Sequence, residues 1–344
     1  MKIFFLSLFY FPGNPSYFKV KIAVYLLILP VMLRACFLFV FFCFLVNPLL
    51  AQRPDPAILK KHVAYLSSDK MKGRGTGSKT NRKAAAYVKK YFKKYRLRPL
   101  GTDGYYQPFT AKVRRVVVPD SLRPARNVIG FLDNGAEYTI VIGAHYDHLG
   151  EGRQGSSLAP GSEGVIHNGA DDNASGTAGL LELARYFTSN GVKELYNLLF
   201  IAFGAEELGL LGSRHFVNNP TVPLEKINFM INMDMIGRYN PESGVAVIGY
   251  GTSGSWPEIF TGVKHAKVKY YTGDDGSGGS DNASFYYKNI PVLFFHTGGH
   301  DDYHRPTDDM DKIGYEAEAG ILDIEIQVLE RAFTFPKLVF KPTK

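Results

Sequence analysis

Cysteine is nearly missing from this chain: two among 344 residues, Cys36 and Cys43, both inside an apolar stretch near the N-terminus. Beyond residue 51 there is none, which excludes a disulfide framework, a thiol nucleophile and thiolate metal ligands from that part. Acidic residues are missing from the first 51 positions, where four of the 40 Lys and Arg lie, so the formal charge of +8 overstates the balance of the rest, which is 36 basic against 32 acidic. Those residues are scattered apart from a cluster between Lys79 and Arg98, read as one solvated helix face, so nucleic acid is not an expected partner. Repeats and low-complexity tracts are also missing, which excludes solenoids and long flexible linkers.

What is present is the composition of a globular protein with a full core, 45% hydrophobic and 21% charged. The one compositional break is N-terminal. From Ile22 to Val46 every residue is apolar or aromatic except Pro30 and Arg34. One reading is a membrane anchor. The other takes Met32 as the true start, with Met32-Leu33-Arg34 as a charged n-region, Ala35 to Val46 as the apolar region and Ala51 as the last residue before cleavage. The second layout fits a cleaved export signal better. The expectation is therefore residues 1–51 as signal peptide or membrane segment, and 52–344 as a single exported domain without stable membrane contact.

Past the signal, Ala57 to Leu66 and Asn81 to Tyr95 read as helices, the latter with Ala85, Val88, Tyr91 and Phe92 at helical spacing. Between them Lys72-Gly73-Arg74-Gly75-Thr76-Gly77-Ser78 lacks the preceding strand and final Gly-Lys-Ser/Thr of a phosphate cradle, and reads as a turn. Lys112–Val118 and Asn127–Leu132 read as paired strands. From residue 138 short apolar runs alternate with helical stretches. Tyr138–Ala144, Leu198–Phe203, Phe229–Met233, Val245–Ile248 and Val292–Phe295 suit strands buried on both faces, and Ala174–Phe187 and Tyr315–Phe335 suit helices. That alternation predicts an α/β fold: a three-layer sandwich with a central mixed, mostly parallel β-sheet flanked by helices. His145, Glu206, Glu207 and Asp234 each follow a predicted strand, at the edge where such sheets build ligand crevices.

Five residues of zinc-binding type stand in separate short motifs. They are His145 in Gly143-Ala144-His145-Tyr146-Asp147, Asp171 in Gly169-Ala170-Asp171-Asp172-Asn173, Glu207 in Phe203-Gly204-Ala205-Glu206-Glu207, Asp234 in Asn232-Met233-Asp234-Met235, and His304 in Tyr303-His304-Arg305-Pro306-Thr307-Asp308. Two histidines and three carboxylates suit a pair of divalent ions with one carboxylate shared. An isolated histidine such as His145 would more often be a satisfied core residue, and Asp171-Asp172-Asn173 also reads as a cap for the following helix.

Taken together, the five motifs resemble the M28 family of metallopeptidases, the co-catalytic zinc aminopeptidases and their relatives, over roughly residues 60–330. The resemblance implies two Zn²⁺ ions bridged by Asp171, with His145 and Asp234 completing one shell and Glu207 and His304 the other. It also implies a cis bond between Asp171 and Asp172, with Asp172 outside the ligand set. Charge supports such a centre, since three carboxylates and a hydroxide neutralise two dications. Asp147, two residues along from His145, is expected to orient its imidazole. Neighbouring side chains of an extended chain point apart, so Glu206 is left free of the metal that Glu207 holds and is the expected general base. His304 is preferred to His300 on its motif alone, and Tyr303 is a candidate oxyanion donor, as in some relatives. Asp281 to Phe285 resembles a family segment near the substrate pocket, and Leu149–Asn168 forms a long Gly- and Ser-rich loop. The implied function is a di-zinc exopeptidase acting on peptides, an aminopeptidase first. Glutaminyl-peptide cyclotransferases, carboxypeptidases and non-enzymatic binding proteins on the same fold are the alternatives.

Overall fold

A computed structural model describes residues 53–112, 122–153 and 156–343. The N-terminal expectations, including the cleavage site and both cysteines, lie outside the described residues. Among the described residues no helix is long and apolar enough to cross a membrane.

Helix α1 spans Pro56–Leu66, and the side chain of Asp55 caps it by accepting from the Ala57 N–H, with proline in the first turn. Helix α2 spans Lys79–Lys94, where Ser78 closes the Gly-rich loop as an N-cap by accepting from Asn81. The first three strands are β1 Arg98–Pro99, β2 Tyr106–Lys112 and β3 Leu122–Leu132. The expected strand at Lys112–Val118 lies almost wholly outside the described residues, and the partner of β3 is instead β2. Next come β4 Thr139–His145, α3 Gly176–Ser189, β5 Asn197–Phe203, α4 Leu211–Asn218 and β6 Ile227–Met233. The chain continues through β7 Val245–Ile248, α5 Trp256–Ile259, β8 Tyr270–Gly273, α6 Asn282–Tyr286, β9 Val292–His296 and α7 Tyr315–Ala332.

The nine strands among the described residues join one sheet in the order β1-β3-β5-β4-β6-β9-β7-β8, with β2 paired to β3. The inner four, β5-β4-β6-β9, are mutually parallel. Antiparallel pairs attach β1, β2 and β3 on one side and join β7 to β9 on the other. The sheet is thus mixed, and parallel at its centre.

Side-chain alternation along each inner strand feeds two cores. Leu198, Phe200 and Ala202 of β5 pack with Leu59 of α1, Phe92 of α2, Leu181 of α3 and Leu322 of α7. Leu199, Ile201 and Phe203 face the other way, with Phe216 of α4 and Phe285 of α6. Both faces being covered explains why these strands are predominantly apolar rather than alternating. It also gives the three layers expected. Since β4, β5, β6 and β9 run in the same direction, the segments that follow each of them emerge at one edge, and the chemistry collects there.

Candidate metal centre

His145 is the last residue of β4, Glu206 and Glu207 follow β5, Asp234 follows β6, and His304 follows β9. Three of these turns hold a non-glycine residue in the left-handed region: Ala205 (φ 61), Met235 (φ 56) and His304 itself (φ 54). Such backbone costs on the order of 1–3 kcal/mol per residue and is retained where it aims a functional group.

His145 Nε2 lies 3.2 Å from Asp234 Oδ1 and 3.4 Å from Asp172 Oδ1. His304 Nε2 lies 3.1 Å from Asp172 Oδ2 and 3.2 Å from Glu207 Oε2. Asp172, not Asp171, therefore offers one oxygen to each histidine. The expectation of a bridging Asp171 is corrected by one residue. Asp171 is turned away, its Oδ1 accepting from the Gly237 N–H at 2.7 Å and from Ser175 Oγ at 3.1 Å, and its Oδ2 facing His300 Nε2 at 3.1 Å. The cis bond likewise falls one residue later, between Asp172 and Asn173. Asn173 does the capping, accepting from the Gly176 N–H at the start of α3. The same geometry separates the rival histidines: His304 faces Asp172, and His300 faces Asp171.

Among the described residues, those that could hold metal form two groups, His145–Asp172–Asp234 and His148–Asp172–Glu207, each with its ligand atoms close enough to share one ion. His148 is new relative to the sequence reading. Its Nδ1 bonds Glu207 Oε1 at 2.7 Å, while His304 approaches the other oxygen. The only signal for it was a second histidine in His145-Tyr146-Asp147-His148.

Tautomers are fixed by backbone acceptors. His145 Nδ1 lies 3.2 Å from the Asp147 carbonyl and His304 Nδ1 lies 2.9 Å from the Ser156 carbonyl. A carbonyl only accepts, so both Nδ1 atoms carry hydrogen and both Nε2 atoms turn toward the carboxylates. Asp147 thus orients His145 through its main chain. Its carboxylate, 3.8 Å from His145 Nδ1, instead takes the Thr76 hydroxyl and the Glu206 N–H.

The donor set fits a cation. His145 Nε2 and Asp234 Oδ1 are buried, face each other and have no hydrogen-bond partner among the described residues. Burial would lower the His304 imidazole, but Glu207 and Asp172 hold it up at about 11. Glu207 is driven down to about 2, burial and Asp172 being outweighed by His304 and His148. Without metal, imidazolium ions stand where dications would neutralise the same carboxylates. Glu206 belongs to neither group. Burial, then Glu207, Asp281 and Asp234, push its carboxyl well above the usual range. Tyr303 stacks on His304 at 3.9 Å between ring centroids and is 37% exposed, so it lies on the rim of the centre.

The profile of peptidase family M28 matches residues 127–329. Leupeptin-inactivating enzyme 1 of Streptomyces exfoliatus is 38% identical over 133 residues, 36% of this chain and 28% of that protein. Aminopeptidase YwaD of Bacillus subtilis is 33% identical over 189 residues, 52% of this chain and 37% of that one. The chain matches well under half the length of these relatives. A zinc-dependent exopeptidase of Parabacteroides distasonis shares the fold, with a TM-score of 0.65 at 18% identity over 81% of this chain and 99% of that one.

Proposed function

Because the chain belongs to peptidase family M28, we propose that it is a metallo-exopeptidase holding two zinc ions, and specifically an aminopeptidase that removes N-terminal residues from peptides. The observation that carries this reading is Asp172, whose two carboxylate oxygens face two different histidines. His145, Asp172 and Asp234 would hold one ion, and His304, Asp172 and Glu207 the other. Zinc in this setting supplies Lewis acidity toward a carbonyl and toward water at neutral pH.

The protein's own groups then divide the work. Glu206 is outside the ligand set yet only 3.9 Å from His145 Nε2, so it can take a proton from water and return it to the departing amine. Its backbone is fixed by the Asp147 carboxylate at 3.1 Å, which holds the carboxyl in place during both transfers. His148 secures one Glu207 oxygen and leaves the other for metal. Tyr303, whose ring stacks on His304, is the proposed hydroxyl donor to charge developing on the carbonyl oxygen. The choice of aminopeptidase is supported by the name of the Bacillus relative.

The test is the purified chain, loaded with zinc, against amino-acid amides, N-blocked peptides and N-terminal glutaminyl peptides. Cleavage only of substrates with a free N-terminus is expected. Cleavage only from the C-terminus would make it a carboxypeptidase, ring closure of the glutaminyl peptide without hydrolysis a cyclase, and binding without turnover a receptor-like protein. We further propose that residues up to Ala51 are removed on export to the periplasm or medium, on the layout of Met32 to Ala51. Recovery of the Ile22–Val46 stretch in membrane fractions would replace that with an anchor.

A further inference from the structure

The loop that delivers Asp172 is gripped on both sides by buried charges that take no part in the ligand set. Arg74, from the Gly-rich loop before α2, is fully buried, and its guanidinium donates to four main-chain carbonyls. Its Nη1 reaches the Asn168 carbonyl at 2.7 Å and the Leu66 carbonyl at 2.7 Å, its Nη2 reaches Gly169 at 2.9 Å, and its Nε reaches Tyr146 at 2.9 Å. One side chain thus ties the residue after His145 to the two residues that open the Asp172 loop. Asp308, equally buried, takes the opposite side of that loop. Its main-chain carbonyl accepts from the Ala170 N–H at 3.1 Å. Its carboxylate accepts from Asp171 N–H at 3.0 and 3.1 Å and from Asp172 N–H at 3.0 Å. Carbonyls 168 and 169 therefore point to a cation, N–H groups 171 and 172 to an anion, and N–H 170 to the main chain of that same aspartate. Gly169, with φ 59, lies where the two sets meet.

We infer that Arg74 and Asp308 are positioning residues that set the Asp172 carboxylate between His145 and His304 before any metal binds. The inference rests on the reading of Asp172 as a shared ligand. Neither group touches the ligand oxygens. Each acts by leaving the loop one backbone path, which a planar fork of donors and a two-oxygen acceptor do better than point charges. Supporting groups of this kind are worth about 10–100-fold in metal affinity.

The experiment combines hydrogen exchange and zinc affinity on the full chain. In the metal-free wild type, the amides of Ala170, Asp171 and Asp172 should exchange as slowly as in the zinc-loaded protein. Arg74→Lys, which keeps the charge and loses the fork, and Asp308→Asn should speed that exchange and raise the zinc Kd by about 10–100-fold in chelator competition. Because both hold one loop, the double variant should lose less than the product of the two. Leu329→Ala, which weakens the core in the last turns of α7, should leave zinc Kd unchanged in folded protein. Free exchange of the three amides in the metal-free wild type overturns the inference. So does wild-type zinc affinity in folded Asp308→Asn, or an equal loss in Leu329→Ala. Should Arg74→Lys fail to fold, Asp308→Asn and the wild-type exchange decide. A wild type that binds no zinc refutes the metal reading, and exchange alone then decides on the grip.

Discussion

Replacing Glu206 with glutamine isolates proton transfer from metal binding. Glu206 is outside both three-residue groups, its nearest approach to His145 Nε2 being 3.9 Å, so an amide there removes no ligand. Its carboxyl is already driven toward the neutral form by burial and by Glu207, Asp281 and Asp234. A neutral glutamine of the same shape therefore leaves the metal-free fold nearly undisturbed, and the Asp147 bond to the backbone N–H is kept. What is lost is the ability to carry a proton, for which general-base loss gives roughly 10²–10⁴-fold in kcat, or about 2.7–5.4 kcal/mol of barrier. The loss should fall in kcat with KM little changed, since the interaction is made in the transition state. Glu207→Gln is the control. Glu207 offers one oxygen to His148 and the other to His304, so its amide must turn an NH₂ toward one imidazole and weaken one metal site. The assay is steady-state hydrolysis of an amino-acid amide together with zinc content per chain. Zinc lost in Glu206→Gln and retained in Glu207→Gln would reverse the two roles, and full activity in both would refute the proposed mechanism.

Three further expectations follow from the same geometry. Asp172→Asn should bring zinc content below one ion per chain, while Asp171→Asn should keep both ions and lose at most about 10–100-fold in activity through its contacts to Gly237 and His300; the reverse pattern restores Asp171 as the bridge. Zinc uptake at pH 7 should release protons, because His145 and His304 are held protonated by surrounding carboxylates without metal. Binding enthalpies that are equal in two buffers of different ionisation enthalpy would contradict this. His62 is pushed down to about 3 by burial, then by Lys61 and Lys94. Below pH 6.5 the unfolded chain takes a proton that the folded one refuses, so stability falls by about 1.4 kcal/mol per pH unit down to about pH 3. His62→Gln should flatten that slope by about 2 kcal/mol between pH 6.5 and 5, and denaturant titrations with identical slopes for both proteins would refute the assignment.

The centre of the fold was legible because burial on both faces leaves a plain mark. Asn197–Phe203 is apolar from Leu198 onward, Ile227–Met233 is apolar but for Asn228 and Asn232, and the expected strands match them to within two residues. The edges carry no such mark. Tyr106–Lys112 mixes Gln107, Pro108 and Thr110 with its apolar residues, and Tyr270–Gly273 is half exposed, so both needed their partners to be recognised. The motifs marked the segments that meet in the cluster able to hold metal, yet could not choose between neighbours within a segment. Asp171 and Asp172 are chemically identical, and what separates them is the destination of the adjacent backbone: Asp308 accepts from both N–H groups, and the Gly237 N–H donates to the Asp171 carboxylate. Arg74 was hidden for a related reason. Its partners are four main-chain carbonyls, which any sequence could supply, and nothing in Gly73-Arg74-Gly75 distinguishes a guanidinium in solvent from one wholly buried. His300 and His304 show the limit most sharply. Four residues apart and both near acids, each has its own carboxylate, and these are the adjacent Asp171 and Asp172. Which histidine faces which aspartate is therefore a single decision. It is made by the paths of two loops, through the left-handed backbone at His304 and the grip of Asp308 four residues later.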